Sequence, residues 1–289
     1  MQSGNTGGAM EQGAGLLYVV ATPIGNLGDM SDRARKVLTD VALIAAEDTR
    51  QTRRLLAHFA ISTPLVAYHD HNEGAMTPRL IEHLLAGRDL ALVSDAGTPL
   101  ISDPGYRLVS AARDRGIGVV PIPGPSAAIC ALSAAGLPSD RFLFLGFPPR
   151  GGARRGWIES VAGEPGTLVI YESARRCIGT LSDLGAILGE RRVVVARELT
   201  KRFETFLVGT AAGLAERISA DPAQQLGEIV ILVAGAQGGA GERAEQERVL
   251  RLLAAELPLK RAAAIAAEIT GAKKNALYRL ALDLGLGGG

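Results

Sequence analysis

Short apolar runs alternate with segments of helical pattern through the first half of the chain, and several runs end in loops of glycine, proline or charged residues. The alternation predicts strands within 16–22, 41–50, 64–73, 89–97 and 117–127, and helices within 31–40, 51–59, 76–87, 104–116 and 127–136. Ser31 is predicted to cap the first helix. Strands that alternate with helices of about 8–12 residues are typical of α/β proteins with a parallel sheet.

A second α/β unit is predicted to start near residues 136–140, where "GLPSD" interrupts the pattern. Its apolar runs predict strands within 141–147, 167–175 and 227–235, and two closely spaced strands within 191–210, which together indicate a mixed sheet. The remainder has a helical pattern. The predicted organisation is a flexible N-terminal lead over 1–14, α/β domains over 15–138 and 139–236, and a linker with a helical tail over 237–289.

The composition indicates a globular protein without disulfides or a membrane-spanning segment. The 289 residues are 47% hydrophobic and 21% charged, which is typical of a globular chain. Cys130 and Cys177 lie far apart without a CxxC, which indicates a reducing cytoplasm and neither a disulfide framework nor a zinc knuckle. No apolar run reaches the roughly 18 residues that span a bilayer. The N-terminal lead has neither the basic region nor the apolar core of a signal peptide.

Four loops at predicted strand ends share an unusual composition, in which glycine or proline stands beside a small hydroxyl or a carboxylate. Their sequences are "TPIGNLGD" (22–29), "AEDTR" (46–50), "SDAGTP" (94–99) and "PGPSA" (123–127). Ligands of open α/β sheets bind at the carboxyl ends of strands. The first loop is neither a P-loop nor a GxGxxG fingerprint. Such loops suit a zwitterionic ligand that bears a cation. Beyond them, Asp103 and Pro104 are predicted to begin the next helix, with Asp103 as N-cap.

Four long stretches closely resemble the bacterial 16S ribosomal RNA ribose 2′-O-methyltransferase I family, which has the tetrapyrrole-methylase (class III) fold. They are residues 19–50, 92–109, 121–150 and 197–210, and the helical stretch 257–282 extends the resemblance to about residue 284. The resemblance implies two α/β domains with a cofactor cleft between them and a small C-terminal helical module. It also implies S-adenosyl-L-methionine as cofactor, a cytidine ribose in the decoding region of 16S rRNA as acceptor within the small ribosomal subunit, a homodimer, and a cytoplasmic location.

Residues that match the family's cofactor loops are expected to border S-adenosylmethionine. They are Pro23, Asp95, Ala96, Gly97, Ser126, Ala127, Tyr171, Glu172 and Ile229. Direct transfer to a hydroxyl requires alignment of donor and acceptor, and a general base helps to remove the proton. The charged clusters at strand ends offer Glu47, Asp48 and Lys201, in that order, although such clusters are often solvated rims or structural ion pairs.

A nearly neutral protein, with net charge +1, must bind RNA through local basic patches. The candidates are Arg50, Arg53, Arg150, Arg154, Arg155, Arg175, Lys273 and Lys274. The link 148–156, "PPRGGARRG", is expected to be mobile before RNA binds. The tail resembles a helix-turn-helix-like module, and the alternative is a plain helical cap. His69 and His71 share a strand face but have no third ligand at a recognisable spacing, so we expect no metal.

Two other functions stay open at this stage. One is a methylase of the same fold that acts on a tetrapyrrole or another small molecule. The other is a non-catalytic ribosome assembly factor that kept the fold. The helical tail and the "EDTR" and "RELTK" motifs favour the RNA methyltransferase.

Overall fold

The computed structural model describes residues 13–236 and 240–286. The N-terminal lead predicted over residues 1–14 therefore lies almost entirely outside the described residues. Within the described part, no helix is long and apolar enough to cross a membrane.

The first sheet is parallel throughout, as the alternating pattern predicts. Its strands, in the spatial order β3-β2-β4-β1-β5, are β1 (Leu17–Val20), β2 (Leu43–Ala46), β3 (Leu65–Ala67), β4 (Leu90–Val93) and β5 (Val119–Ile122). The helices that follow these strands are α1 (Asp32–Asp40), α2 (Thr49–His58), α3 (Glu73–Leu85), α4 (Tyr106–Asp114) and α5 (Ala127–Ala134). The predicted cap is confirmed, because the Ser31 hydroxyl accepts a hydrogen bond from the Ala34 amide at 3.1 Å.

Helices cover this sheet on both faces, which explains why its strands are apolar runs rather than alternating ones. Ala91 and Val93 of β4 pack in one cluster with residues of α1 and α2, such as Leu38 and Leu56. Leu90 and Leu92 of the same strand pack in a second cluster with α3 and α4. Both faces of the central strand are therefore buried, and only its carboxyl end is left for a ligand.

The second sheet is mixed, as predicted, because β7 pairs in parallel with β6 and antiparallel with β10. Its strands, in the order β6-β7-β10-β8-β9, are β6 (Phe142–Gly146), β7 (Thr167–Ser173), β8 (Arg192–Arg197), β9 (Thr205–Thr210) and β10 (Glu228–Val233). Its helices are α6 (Ala153–Ser160), α7 (Ala174–Leu188) and α8 (Ala211–Ala220). The sequence pattern misses α6, because half of this helix lies in the glycine- and arginine-rich link.

Three helices form the C-terminal tail: α9 (Ala240–Ala254), α10 (Leu259–Thr270) and α11 (Lys274–Asp283). Leu250, Ala266 and Leu277, one from each helix, are fully buried in a hydrophobic cluster of their own. Helix α10 ends at Gly271, whose φ of 72° is the left-handed conformation that favours glycine at a helix end. The tail is therefore a small packed module rather than a single extended helix.

The chain divides into two compact units. One contains the residues up to Ala134 together with Ala196–Thr205, and the other contains Ala135–Val195 together with the residues from Phe206 onward. The segment that connects β8 to β9 thus groups with the first unit, and the tail groups with the second. The first unit is therefore built from two separate stretches of sequence.

Replacement of Gly235 by alanine is expected to lower the free energy of unfolding by about 1–3 kcal/mol, because the added Cβ would overlap the backbone carbonyl of Pro165. Gly156→Ala is the matched control: this exposed glycine of α6 has no atom within 4 Å of a new Cβ, so the change should be neutral or stabilising. Urea unfolding followed by circular dichroism measures both. Equal midpoints for the two variants would contradict the packing described at Gly235.

Candidate functional site

The loops after β1, β4 and β5 are tied together at the carboxyl edge of the first sheet. Thr22 and Gly97 exchange two backbone hydrogen bonds, of 2.9 and 3.0 Å, although their strands run parallel. The Thr98 hydroxyl donates to the carbonyl of Pro125 at 3.0 Å. Gly97 has a φ of +82°, and a Cβ there would lie 3.3 Å from Ile24. These contacts hold the three predicted cofactor loops as one rim.

The loop after β2 joins the same rim through carboxylates. The Asp48 amide donates to Asp95 Oδ1 at 2.9 Å, and the Asp95 amide faces Glu47 Oε2 at 3.4 Å. The side chain of Gln51, which the sequence analysis did not single out, donates to Asp95 Oδ2 at 3.2 Å. The structure therefore brings the predicted base candidates Glu47 and Asp48 beside the predicted cofactor residue Asp95.

Glu47 and Asp48 are adjacent in sequence but differ in acidity. Burial, followed by the negative charges of Asp103 and Asp95, raises the pKa of Glu47 from 4.5 to about 7. Hydrogen bonds from Arg50 lower the pKa of Asp48 to about 2, and the Asp48 side chain caps α2 at the Arg50 amide. A base for neutral pH needs a pKa near 7. Glu47 meets that requirement, and Asp48 does not.

Asp103 does not cap a helix, so that part of the sequence prediction is wrong. Helix α4 begins at Tyr106, and Gly105 occupies the N-cap without a side-chain hydrogen bond. The Asp103 carboxyl is half-buried and hydrogen-bonded to the Ser94 side chain, and burial raises its pKa to about 6. The Asp-Pro-Gly sequence is a common start of a helix, so local pattern alone favoured the cap.

Lys201 lies in the segment that groups with the first unit. Its ammonium contacts Glu198 Oε1 at 3.0 Å, and its stem lies over Gly25, where a Cβ would be 2.5 Å from Lys201 Cγ. Glu198 and Thr200 have left-handed φ angles of 52° and 65°, which cost energy for residues with side chains. The segment therefore places Lys201 above the loop after β1.

The second unit holds the remaining three predicted cofactor residues: Tyr171 and Glu172 on opposite faces of β7, and Ile229 on β10. The Tyr171 ring packs edge-on against Phe144 at 4.8 Å and Phe147 at 5.5 Å between ring centroids, and it is partly exposed. Glu172 is buried: its Oε2 accepts from the Thr180 hydroxyl at 2.6 Å and its Oε1 pairs with Arg176. Glu172 also pairs in register with Ile229 on β10.

The predicted RNA-binding residues differ in how free they are to bind. Arg53, Arg150, Arg175, Lys273 and Lys274 are exposed. Arg50 is exposed but pairs with Asp48 at 2.8 Å. Arg154 is largely buried between Asp183, at 2.7 Å, and Thr180, and Arg155 shares Asp183 from a half-exposed position. Arg154 thus has a structural role that the sequence pattern does not reveal.

Models of two protein families match the chain. The family described as Tetrapyrrole (Corrin/Porphyrin) Methylases matches residues 16–215, and the one described as RsmI C-terminal HTH domain matches residues 240–285. A protein of Pseudomonas aeruginosa named Ribosomal RNA small subunit methyltransferase I is 57% identical, over 93% of this chain and 98% of its own. Its namesake in Escherichia coli O157:H7 is 53% identical, over 93% and 95%.

Solved structures agree on the fold. A diphthine synthase superposes with a TM-score of 0.59 at 14% identity, over 76% of this chain and 90% of its own. A cobalt precorrin-4 methyltransferase superposes with a TM-score of 0.52 at 14% identity, over 76% and 94%. Identities this low show the fold alone, and they confirm the predicted tetrapyrrole-methylase architecture. The chain therefore belongs to the tetrapyrrole methylase family and, within it, to the family of the ribosomal RNA small subunit methyltransferases I.

Proposed function

We propose that this protein is an S-adenosylmethionine-dependent ribosomal RNA methyltransferase, and that it methylates the ribose 2′-oxygen of a cytidine in the decoding region of 16S rRNA. The relatives support the coarser part, since their names specify the small ribosomal subunit and they cover nearly the whole chain. The observation that supports a hydroxyl acceptor is Glu47, a half-buried carboxyl group with a pKa of about 7 beside the candidate cofactor loops, whereas the cytidine and the decoding region rest on the family resemblance alone. A hydroxyl acceptor needs such a base.

The polar groups of the rim in the first unit support S-adenosylmethionine as its ligand. Gly97 has no side chain to crowd Ile24, so the loop can stay close to Thr22, and Asp95 presents an exposed carboxylate to a cationic or hydroxyl-bearing ligand. The residues proposed to hold the cofactor here are Pro23, Asp95, Ala96, Gly97, Ser126 and Ala127. In the second unit, Tyr171 offers a partly exposed ring, and Glu172 and Ile229 are proposed to support its strand.

The chain's own residues align the acceptor and remove its proton. When bound, the cofactor supplies a methyl carbon that its sulfonium sulfur activates toward a nucleophile. Glu47 would take the proton of the 2′-hydroxyl as the ribose oxygen bonds to the methyl carbon; the bond from that carbon to sulfur would break in the same step and leave a neutral thioether, so no free alkoxide would form. Asp48 stays ionised and fixes α2. Lys201, held by Glu198 over the loop after β1, is proposed to meet a phosphate of the RNA.

The proposed partner is 16S rRNA within the small ribosomal subunit, and the proposed setting is the cytoplasm, with the protein as a homodimer. Exposed cations of the tail, Lys273 and Lys274, and of the second unit, Arg150 and Arg175, are proposed to contact RNA phosphates. The tail's family description as a helix-turn-helix domain supports this role.

The direct test incubates the protein with methyl-labelled S-adenosylmethionine and small ribosomal subunits that lack the modification. The RNA is then cleaved with alkali, which needs a free 2′-hydroxyl. We expect label in an alkali-resistant dinucleotide that contains a cytidine of the decoding region. Label in a mononucleotide would indicate base methylation. If the cofactor binds but no RNA is labelled, the proposal fails and a small-molecule acceptor or an assembly role takes its place.

Replacement of Glu47 by glutamine is expected to lower kcat about 10²–10⁴-fold, the usual contribution of a general base. In the unchanged protein, activity should fall as the pH drops through about 7, because the carboxyl group must be deprotonated to accept a proton. Glu47→Gln should lose that pH dependence. Asp114→Asn, an exposed position at the end of α4, is the control and should keep both rate and profile. An unchanged rate in Glu47→Gln would exclude Glu47 as the base.

Replacement of Gly25 by alanine is expected to reduce kcat/KM about tenfold or more, because the new Cβ would displace the Lys201 stem. Gly28→Ala, in the same loop, is the matched control: its Cβ would meet only the side chain of Asn26, at 3.1 Å. Steady-state assays with small ribosomal subunits as substrate measure kcat/KM of the two variants at equal cofactor occupancy. Similar rates in both would show that the Lys201 segment has no part in the reaction.

A further inference from the structure

The turn between β4 and α4 adopts a strained backbone. Leu100 and Ser102 have φ angles of 72° and 69°, in the left-handed region that residues with side chains rarely occupy. Gly105, with a φ of 136°, is so close to Leu92 that a Cβ would lie 2.8 Å from its side chain. Such strain persists only where surrounding contacts impose it, and it clusters at functional sites.

The strained turn returns Asp103 to the end of β4. Its carboxyl group hydrogen-bonds to the side chain of Ser94, which is 2% exposed. The Ser94 carbonyl lies 3.4 Å from the Thr22 hydroxyl, and the next residue is Asp95, which binds the amide of Asp48. Asp103 therefore contacts Ser94, the residue at which the loop after β4 begins, even though Asp103 lies eight residues beyond Asp95 in the sequence.

Three carboxylates from neighbouring loops act electrostatically on Glu47. Asp103 comes from the turn before α4, Asp95 from the loop after β4, and Asp70 from the loop after β3. Arg50, in the first turn of α2, directs its guanidinium to Asp48 at 2.8 Å. Among the neighbouring charges that act on Glu47, Asp103 has the largest effect and Asp70 the smallest. Like charges nearby disfavour ionisation, so the geometry makes Glu47 a stronger proton acceptor than an isolated carboxylate.

We propose that Asp103 is a positioning residue of the reaction, which orders the Ser94–Asp95 loop and, through its negative charge beside Glu47, sets the pH range of methyl transfer. The inference rests on the proposed function of Glu47 as the base. It assigns Asp103 a role that acts through Ser94 and Glu47. The strained turn then keeps the carboxyl group of Asp103 half-buried. Its charge therefore acts on Glu47 with less screening by water and salt than the charge of an exposed carboxylate would.

The test replaces Asp103 with asparagine, which has the same shape but no charge. We expect the acidic midpoint of the pH profile of kcat/KM to move down by about 0.5–1 pH unit, because removal of a neighbouring negative charge makes Glu47 easier to ionise. Ser94→Ala removes the hydrogen bond that lowers the pKa of Asp103 but keeps the carboxyl group, so its maximal rate should fall and its midpoint should move less than that of Asp103→Asn. Asp114→Asn should leave both unchanged. A purely structural role of Asp103 would scale the profile without moving it.

A second measurement separates this inference from the proposed function. Titration of ¹³C-labelled glutamate carboxyls by NMR, with Glu47 assigned through Glu47→Gln, reports the proton affinity of Glu47 without RNA. A lower Glu47 midpoint in Asp103→Asn supports the inference even if no RNA is methylated, whereas methylation with an unmoved midpoint overturns it. Folding of the variant is expected, since asparagine matches aspartate in size and its side-chain oxygen can still accept a hydrogen bond from Ser94. Asp103→Ser, smaller and uncharged, repeats the test if asparagine prevents folding.

Discussion

The pair of hydrogen bonds between Thr22 and Gly97 is the constraint on which the candidate site depends. Parallel strands β1 and β4 lie side by side, and their loops leave the sheet in the same direction. Without a link, two loops rich in glycine would keep many conformations, and ordering them would cost conformational entropy when a ligand binds. Because the Thr22–Gly97 hydrogen bonds form when the protein folds, the two loops lose this conformational entropy before a ligand binds. This pair of hydrogen bonds fixes Asp95 close enough to Asp48 and Glu47 for the loops after β2 and β4 to bind each other.

Two carboxyl groups near these loops, those of Glu47 and Asp103, lower the stability of the folded protein at neutral pH. Glu47 and Asp103 both have raised pKa values, so the folded state holds protons that the unfolded chain releases above about pH 4–5. Stability from these groups is therefore greatest at low pH and is lost as the pH rises to about 6 and 7. Glu47 and Asp103 are unfavourable as carboxylates at neutral pH, and Leu100 and Ser102 adopt left-handed backbone, so this part of the chain lowers the stability of the folded protein. Such costs are typical of a site selected for chemistry.

Much of the fold could be predicted from the sequence, because buried parallel strands appear as apolar runs that end in glycine, proline or charge. Helix α6 could not, since glycine at 151, 152 and 156 resembles a loop and the helix depends on tertiary ion pairs such as Arg154–Asp183. The loop of each candidate residue could also be predicted, but its function within the loop could not. Glu47 and Asp48 look equivalent in "AEDTR", and only burial and the partner of each carboxylate distinguish a proton acceptor from a helix cap.

The membership of residues 196–205 in the first unit has a consequence for synthesis of the chain. The segment that places Lys201 over Gly25 follows the start of the second sheet in the sequence, so the ribosome delivers it only after β6, β7 and β8 have been made. Domains that are continuous in sequence can complete themselves as they emerge. This unit cannot, because its last loop arrives late. Any nascent chain that ends before residue 205 lacks a finished candidate site, whatever cofactor is present.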